Sequence, residues 1–291
     1  MTKIGGAGCT LIGIGPCLIL FILTVAHSPL KVIILTASGF FWLISLLITS
    51  VLWFAFRPIV GHLAPSLVFG VIAQEAMRFG FFKLITKADD GLRLIANNAQ
   101  TSRLEMATRS VHSRDGGTYQ RVPDVDSPQT VPVDQDDAVV SSSPKDVPGR
   151  LLNHRIVSYV AGLGYGLMSG IVQLLHLLIA AYGPGIERIY WESKTFFIVA
   201  SFEIMCVSVM HIFWSVVLFN AFDERKWMYL PLAYGTHLCV SAMSLLNQYS
   251  SPWPEIVCLA YTIVALLMAL MSYVALRGRL LRSSAGTQPG H

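Results

Sequence analysis

Seven long apolar runs restrict this chain to a helical membrane protein. Each is about as long as the roughly 20 helical residues that cross a hydrocarbon core about 30 Å thick. Lipid holds no water to pair an open backbone, so each run is expected to be a helix, and apolarity on all sides argues against β-barrel strands. The runs are 6–26, 31–56, 63–85, 154–181, 195–219, 228–247 and 254–276.

Composition supports the same fold class, an all-α polytopic membrane protein with seven transmembrane helices. The chain of 291 residues is 54% hydrophobic and 13% charged, whereas soluble domains carry about a quarter charged residues. All five cysteines lie in or beside apolar runs and none forms a C-x-x-C pair. We therefore expect neither a disulfide framework nor a zinc site with cysteine spacing.

Basic residues predict the orientation of the helices. With the N-terminus outside the cytosol, sixteen Lys and Arg fall on the cytosolic side and four on the opposite side, as the positive-inside rule requires. We expect a luminal or extracellular N-terminus and a cytosolic C-terminus. The first run also resembles a signal peptide, with Lys3 before it and a small-residue site at 24–26. Cleavage there would place the basic segment 83–155 outside, which the charge rule disfavours.

A change of composition divides the chain into four segments. Residues from about 95 to 150 are rich in Asp, Ser, Pro, Val and Gln, with Tyr119 as their one aromatic residue. Such a segment buries too little apolar area to offset its ordering entropy, so we expect disorder. The predicted segments are 1–94 with helices 1–3, 95–152 as a disordered cytosolic linker, 153–278 with helices 4–7, and 279–291 as a cytosolic tail.

Ionisable residues inside the apolar runs are candidates for function, because an unpaired charge at membrane depth is costly. Glu75 and Arg78 lie three residues apart and can pair on one helix face. At about 1.5 Å per residue, Glu75, His211 and His237 share a layer about 12–15 Å from the cytosolic ends of their helices. A looser layer nearer the outer face holds Gln173, His176 and Glu203.

Two interpretations of the inner layer stay open. Glu75, His211 and His237 could form the metal or proton site of a membrane metallohydrolase, although no H-x-x-x-H pair or positioned nucleophile accompanies them. Alternatively, these residues and Arg78 form interhelical hydrogen bonds around a polar cavity. Every Asp lies in a predicted loop, so a pair of membrane aspartates for proteolysis is not expected from this chain.

Glycines at helical spacing mark the fourth run. Gly162, Gly166 and Gly170 lie four residues apart, with Gly164 between them, and leave a strip without side chains. Small residues let membrane helices approach closely. The strip packs either a neighbouring helix of this chain or a docking helix from another subunit.

Taken in order, these motifs resemble those of the anterior-pharynx-defective subunit family of γ-secretase. The resemblance covers nearly the whole chain outside 95–150 and the tail. Besides the double G-x-x-x-G, it is carried by GPCLILF (15–21), TVAHSPLKVIIL (24–35), FFWLISLL (40–47), QEAMRF (74–79), KADDGL (87–92), HIFWSVVLF (211–219), DERK (223–226) and THLCVSAMSLLN (236–247).

The resemblance implies a non-catalytic scaffold of an intramembrane protease complex. Such a subunit assembles and stabilises presenilin with nicastrin and the presenilin enhancer subunit, for processing of membrane proteins such as Notch-type receptors. It implies residence in endoplasmic reticulum, Golgi, plasma and endosomal membranes, with no cofactor, metal, nucleic acid or catalytic residue of its own. The family's assembly glycines correspond to Gly162, Gly166 and Gly170, and its cavity histidines to His211 and His237.

Departures from the family pattern limit this transfer. The segment 95–150 is longer than expected, and Gly164 and Glu203 stand where other residues are expected. A seven-helix receptor is a further alternative by topology, but the chain lacks its D/E-R-Y and N-P-x-x-Y motifs.

Overall fold

The computed structural model consists of helices and short turns in the residues it describes, which are 3–60, 64–115, 152–182, 196–249 and 252–285. This confirms the predicted all-α class. The helices are α1 (Lys3–Thr24), α2 (Pro29–Val60), α3 (Ala64–Asp115), α4 (His154–Tyr182), α5 (Phe196–Glu224), α6 (Tyr229–Met243) and α7 (Trp253–Ala285), with a short 3₁₀ helix at Ser244–Gln248. Internal contacts divide the chain into one unit of 1–84 with 153–291 and another of 85–152.

Five of these helices, α1, α2, α4, α5 and α7, are long and apolar enough to cross a membrane. The other two helices, α3 and α6, are too polar and too short, respectively, to meet these criteria. In α3, Gln74, Glu75 and Arg78 interrupt the apolar run. The regular part of α6 is only 15 residues long, because the chain tightens into the 3₁₀ helix after Met243. The described residues of the seven apolar runs are therefore mainly helical, but their composition alone supports five spans.

Two of the predicted segment boundaries differ from the structure. Helix α3 continues to Asp115, so residues 95–115 of the predicted disordered linker are helical. That stretch contains no Gly or Pro, whereas Gly116 and Gly117 follow it directly, and both facts favour a helix ending there. Residues 116–151 lie outside the described part of the chain. Helix α7 continues to Ala285, which makes residues 279–285 of the predicted tail helical.

Helix α4 lies at the centre of the larger unit. Within its most apolar stretch 56% of the residues are buried, more than in any other of the five candidate spans. It packs most extensively against α5, and α2 and α1 also contact it. On its other side, α5 packs against α7, where Trp214 and Met210 share a buried cluster with Tyr261 and Met268.

The glycine strip is where α4 meets α5. A Cβ atom on Gly162 would lie 2.7 Å from the Ile212 Cα, and one on Gly166 would overlap the Ser208 carbonyl oxygen. A Cβ on Gly170 would lie 2.5 Å from the Ser208 Oγ. The strip is thus filled by a helix of this same chain, and in this structure it is closed to a helix from another subunit.

A second close approach lies on another face of α4. A Cβ on Gly164 would overlap the Leu35 carbonyl oxygen and the Ser38 hydroxyl of α2, and a Cβ on Gly39 would lie 2.7 Å from the Met168 Cγ. Small residues therefore bring α4 into close contact with both α2 and α5, where van der Waals contact can hold apolar helices together.

The part of α3 that belongs to the larger unit, residues 64–84, packs in a different way, in part through aromatic rings. Such edge-to-face and stacked pairs add about 0.5–1.5 kcal/mol each beyond area burial. They connect α3 to α2 and α5 through contacts between side chains and not through contacts between backbones. The ring centroids lie 5.0–5.4 Å apart in Phe41–Phe81, Phe56–Phe69, Phe79–Phe222 and Phe82–Phe219.

We predict that Gly166→Ala destabilises the folded chain, because the new methyl group would collide with the Ser208 backbone and push α5 away. Overpacking of this kind costs about 1–3 kcal/mol, which thermal unfolding in detergent would detect. Gly235→Ala is the matched control, since nothing lies within 4 Å of its Cβ position in α6. Equal melting temperatures for the two variants would contradict the close approach of α4 and α5.

Candidate functional site

Four ionisable residues from three helices meet in a group that we name the polar cluster: Glu75, Arg78, His211 and His237. The Arg78 Nη1 donates to both Glu75 oxygens, at 2.8 and 2.9 Å. The His237 Nδ1 lies 2.6 Å from Glu75 Oε1, and the Arg78 Nη2 lies 3.0 Å from the His211 Nδ1. The structure thus brings together the three residues that the sequence placed in the inner layer, Glu75, His211 and His237, and adds Arg78 to them.

The polar cluster is buried inside the helix bundle. The side chain of Arg78 is 1% exposed and that of Glu75 is 12% exposed, while His211 and His237 are also buried. Removing charges from water costs several kcal/mol per ion unless each is paired and hydrogen-bonded. Here Glu75 and Arg78 compensate each other, and the two histidines extend the pair to α5 and α6.

Donor and acceptor chemistry orders the hydrogen bonds of the cluster. A guanidinium group only donates, so the His211 Nδ1 must accept from Arg78 and its proton sits on Nε2. An ionised carboxylate only accepts, so the His237 Nδ1 donates to Glu75. The bonds therefore run from His237 to Glu75 and from Arg78 to both Glu75 and His211. The polar side chains of α3, α5 and α6 that face the interior of the bundle therefore bind one another.

Aromatic residues enclose the cluster, and the sequence reasoning missed them. The Arg78 guanidinium carbon lies 4.8 Å from the centre of the Tyr165 ring of α4, a cation–π contact. The Trp214 ring stacks on His237 at 4.1 Å, and its Nε1 donates to the Thr236 Oγ1 at 3.1 Å. Trp214 follows His211 by three residues, a spacing that signals one helix face. No comparable signal marks Tyr165.

The outer layer predicted from the sequence does not assemble. Gln173 donates to the Ser169 hydroxyl at 2.8 Å, within α4. Glu203 accepts from the Asn247 Nδ2 at 2.7 Å and so ties α5 to the 3₁₀ helix. His176 is exposed on the surface of α4. These three residues therefore have separate environments.

The geometry does not favour a metal at the inner layer. Among the described residues, no group of three or more His, Cys, Asp or Glu side chains is placed to hold a metal ion. Arg78 explains this for the cluster, since its cationic group contacts both Glu75 and the His211 Nδ1. A positive charge therefore already stands where a metal would need these ligands.

The expectation that every Asp lies in a loop is wrong for the described ones, because α3 and α5 extend beyond their apolar runs. In the unit of 85–152, Asp89 accepts from the Leu152 backbone N–H at 2.8 Å and pairs with Arg93 at 3.4 Å. In the larger unit, Asp223 pairs with the His154 Nδ1 at 3.0 Å. Each carboxylate has its own structural partner, and neither contact is a pair of aspartates.

Fold and cluster together define the class of protein: a polytopic helical membrane protein whose buried polar residues join its helices. Residues 4–279 match the family model described as Aph-1 protein. This chain therefore belongs to the Aph-1 family, which confirms the resemblance seen in the sequence.

Individual relatives agree with the family match. The chain is 32% identical over 251 residues to the human protein named gamma-secretase subunit APH-1B. The aligned region covers 83% of this chain and 78% of that protein. It is 32% identical over 240 residues to gamma-secretase subunit Aph-1 of Drosophila melanogaster, covering 82% and 80%. A protein of Arabidopsis thaliana named gamma-secretase subunit APH1-like is 23% identical over 252 residues, covering 85% and 83%.

We predict that Arg78→Met strongly destabilises the bundle, because it leaves the buried Glu75 carboxylate without its cation. Breaking one side of a buried ion pair costs about 3–5 kcal/mol. The double variant Glu75→Leu with Arg78→Met should recover much of that loss, since it removes both charges. Unfolding in detergent measures both effects.

The exposed Arg277 of α7 provides the matched control for this pair of variants, and Arg277→Met should leave the stability unchanged. The structural role of the ion pair would be contradicted if the double variant were as unstable as the sum of its two single variants.

Proposed function

We propose that this chain is a non-catalytic scaffold subunit of γ-secretase. Its relatives carry the name of that complex, and the family match spans almost the whole chain. The single observation that carries the scaffold role is the polar cluster, because its charged and hydrogen-bonding groups bind one another. They join helices and are not presented to a substrate.

In this proposal all seven helices cross the membrane, with the N-terminus luminal or extracellular and the C-terminus cytosolic. Pairing inside the cluster lowers the cost of placing the polar residues of α3 in lipid, which supports α3 as a span despite its composition. The distribution of basic residues supports the orientation. The protein then resides in endoplasmic reticulum, Golgi, plasma and endosomal membranes, with 95–152 and the C-terminal tail facing the cytosol.

The scaffold works by holding a frame of fixed shape for presenilin, nicastrin and the presenilin enhancer subunit. Gly162, Gly166 and Gly170 act indirectly here, because they set the spacing between α4 and α5 on which the outer faces depend. The polar cluster holds α3 and α6 to that pair. Apolar side chains that point outward, such as Leu266 and Leu270 of α7, face either lipid or the partner subunits.

Bond cleavage in this proposal belongs to presenilin, whereas this chain contributes to the processing of Notch-type receptors only through assembly. A general base needs a free acceptor within reach of the proton it removes. Both Glu75 oxygens already accept from Arg78, and the His211 Nδ1 accepts from the same guanidinium. Peptide hydrolysis by the purified chain alone would contradict this assignment.

The test of the scaffold role is co-purification of presenilin and nicastrin with tagged variants in a mild detergent. We expect His237→Ala to lower their recovery, because loss of its bond to Glu75 loosens α6 from α3. A hydrogen bond to a charged group contributes about 1.5–3 kcal/mol, so a reduction of about tenfold or more is expected.

His176→Ala is the matched control for this experiment, because it removes an exposed histidine of α4 outside the cluster. Size-exclusion profiles of each variant report whether the chain itself stays folded. Equal recovery of presenilin with the folded His237→Ala and His176→Ala chains would contradict the proposal that the cluster supports assembly.

A further inference from the structure

A cleft of about 390 Å³ opens between α3, α5 and α6 beside the polar cluster. Its volume falls in the range of about 300–1,000 Å³ typical of small-molecule sites. Almost all of its lining is apolar or aromatic. The residues are Glu75 and Phe79 of α3, Leu218 and Phe222 of α5, Trp227 of the following turn, and Leu230, Pro231 and Tyr234 of α6.

The cleft runs along α3 from the polar cluster to a basic rim. Glu75, Phe79 and Lys83 are spaced by four residues, so they lie on one face of α3 and span about 12 Å along its axis. The Lys83 Nζ lies 5.4 Å from the centre of the Phe79 ring. The Phe79 ring contacts Phe222, three residues before the exposed Arg225. Both cations therefore lie towards the same end of the cleft.

The other end of the cleft has no free charge to attract a cation. Glu75 lines this end of the cleft, but both of its carboxylate oxygens accept hydrogen bonds from Arg78, and one also accepts from His237. An apolar occupant therefore meets a carboxylate whose charge is already compensated. The cleft as a whole is an apolar channel, and Lys83 and Arg225 lie near its mouth beside Glu224, whose carboxylate pairs with Lys226.

We propose that this cleft binds an acyl chain of an anionic phospholipid, whose phosphate group lies at Lys83 and Arg225. Lipid tails match the apolar lining, and clustered basic residues at the membrane surface attract anionic headgroups. Trp227 is 58% exposed at this rim, where tryptophan favours the boundary between lipid and water. The proposal rests on the seven-span topology of the proposed function, which places α3 and α6 in the membrane, and does not depend on membership of γ-secretase.

A transmembrane helix from another protein fits this cleft less well. With its side chains a helix is about 10–12 Å wide, so 390 Å³ admits single side chains from it and not the helix itself. An unbranched acyl chain is narrow enough to follow the row from Phe79 to Glu75. The dimensions thus agree with the charge pattern in favouring a lipid.

The first arm of the test maps where a lipid tail lies. The purified full-length chain is placed in phosphatidylcholine vesicles that contain a trace of phosphatidylserine with a photoreactive acyl chain. Mass spectrometry should find labels on peptides that carry Leu218, Phe222 and Leu230. Leu230→Trp fills the cleft and should lower this labelling several-fold, whereas Leu266→Trp on the exposed face of α7 is the matched control.

The second arm tests the headgroup by exchanging the phosphatidylserine probe for a photoreactive phosphatidylcholine. Each basic residue near an anionic membrane contributes about 1 kcal/mol, so Lys83 and Arg225 together should give a preference of about thirtyfold for phosphatidylserine, and one of them alone about fivefold. Lys83→Gln should reduce it, and Arg277→Gln of α7 should not. Because Lys83 is exposed, the Lys83→Gln variant should fold. This arm therefore decides the outcome if the Leu230→Trp chain fails to fold.

Four results would overturn the proposal. One is equal labelling of the cleft by the two lipids, and another is a phosphatidylserine preference that Lys83→Gln leaves unchanged. The third is labelling of the cleft that persists in a folded Leu230→Trp chain. A crosslink that maps the cleft to a co-purified protein in place of lipid would count in the same way.

Discussion

The Glu75–Arg78 ion pair is the interaction on which the arrangement of α3 depends. A helix that carries both charges is stable in lipid only if each is paired and its remaining hydrogen-bonding atoms find partners. The pair forms within α3 because its members lie three residues apart. The Arg78 Nη2 of the pair also bonds to His211, and the Glu75 Oε1 also bonds to His237. Separating α3 from α5 or α6 would therefore leave hydrogen-bonding atoms of charged groups unsatisfied.

The rest of the bundle is held together by a different kind of contact. Lipid is as apolar as the helix surfaces, so burial of apolar area drives their association only weakly, and close packing matters more. Helix α4 meets α5 at Gly166 and α2 at Gly164, where a single added methyl group would strike a backbone carbonyl. Touching backbones hold the apolar helices together, whereas polar contacts and aromatic rings attach α3.

The sequence predicted the features that depend on spacing along one helix or on depth. These include the seven helical runs, the Glu75–Arg78 pair and the layer that contains His211 and His237. It did not predict Tyr165 or Trp214, because an aromatic residue in an apolar run has the same pattern whether it faces lipid or a buried arginine. Composition averaged over 95–152 also obscured the helical stretch before Gly116, since the prolines and acidic residues of the later part dominated it.

The position of the cleft follows from these two kinds of contact. Where α4 and α5 touch through glycine, no room remains between them. Around α3 and α6 the contacts are made by long side chains, which keep the helix axes further apart and leave a gap wherever those side chains do not meet. Glu75 belongs to both the polar cluster and the cleft. A molecule that fills the cleft therefore packs against the residue that joins α3 to α6, and it should oppose any movement that brings these two helices closer.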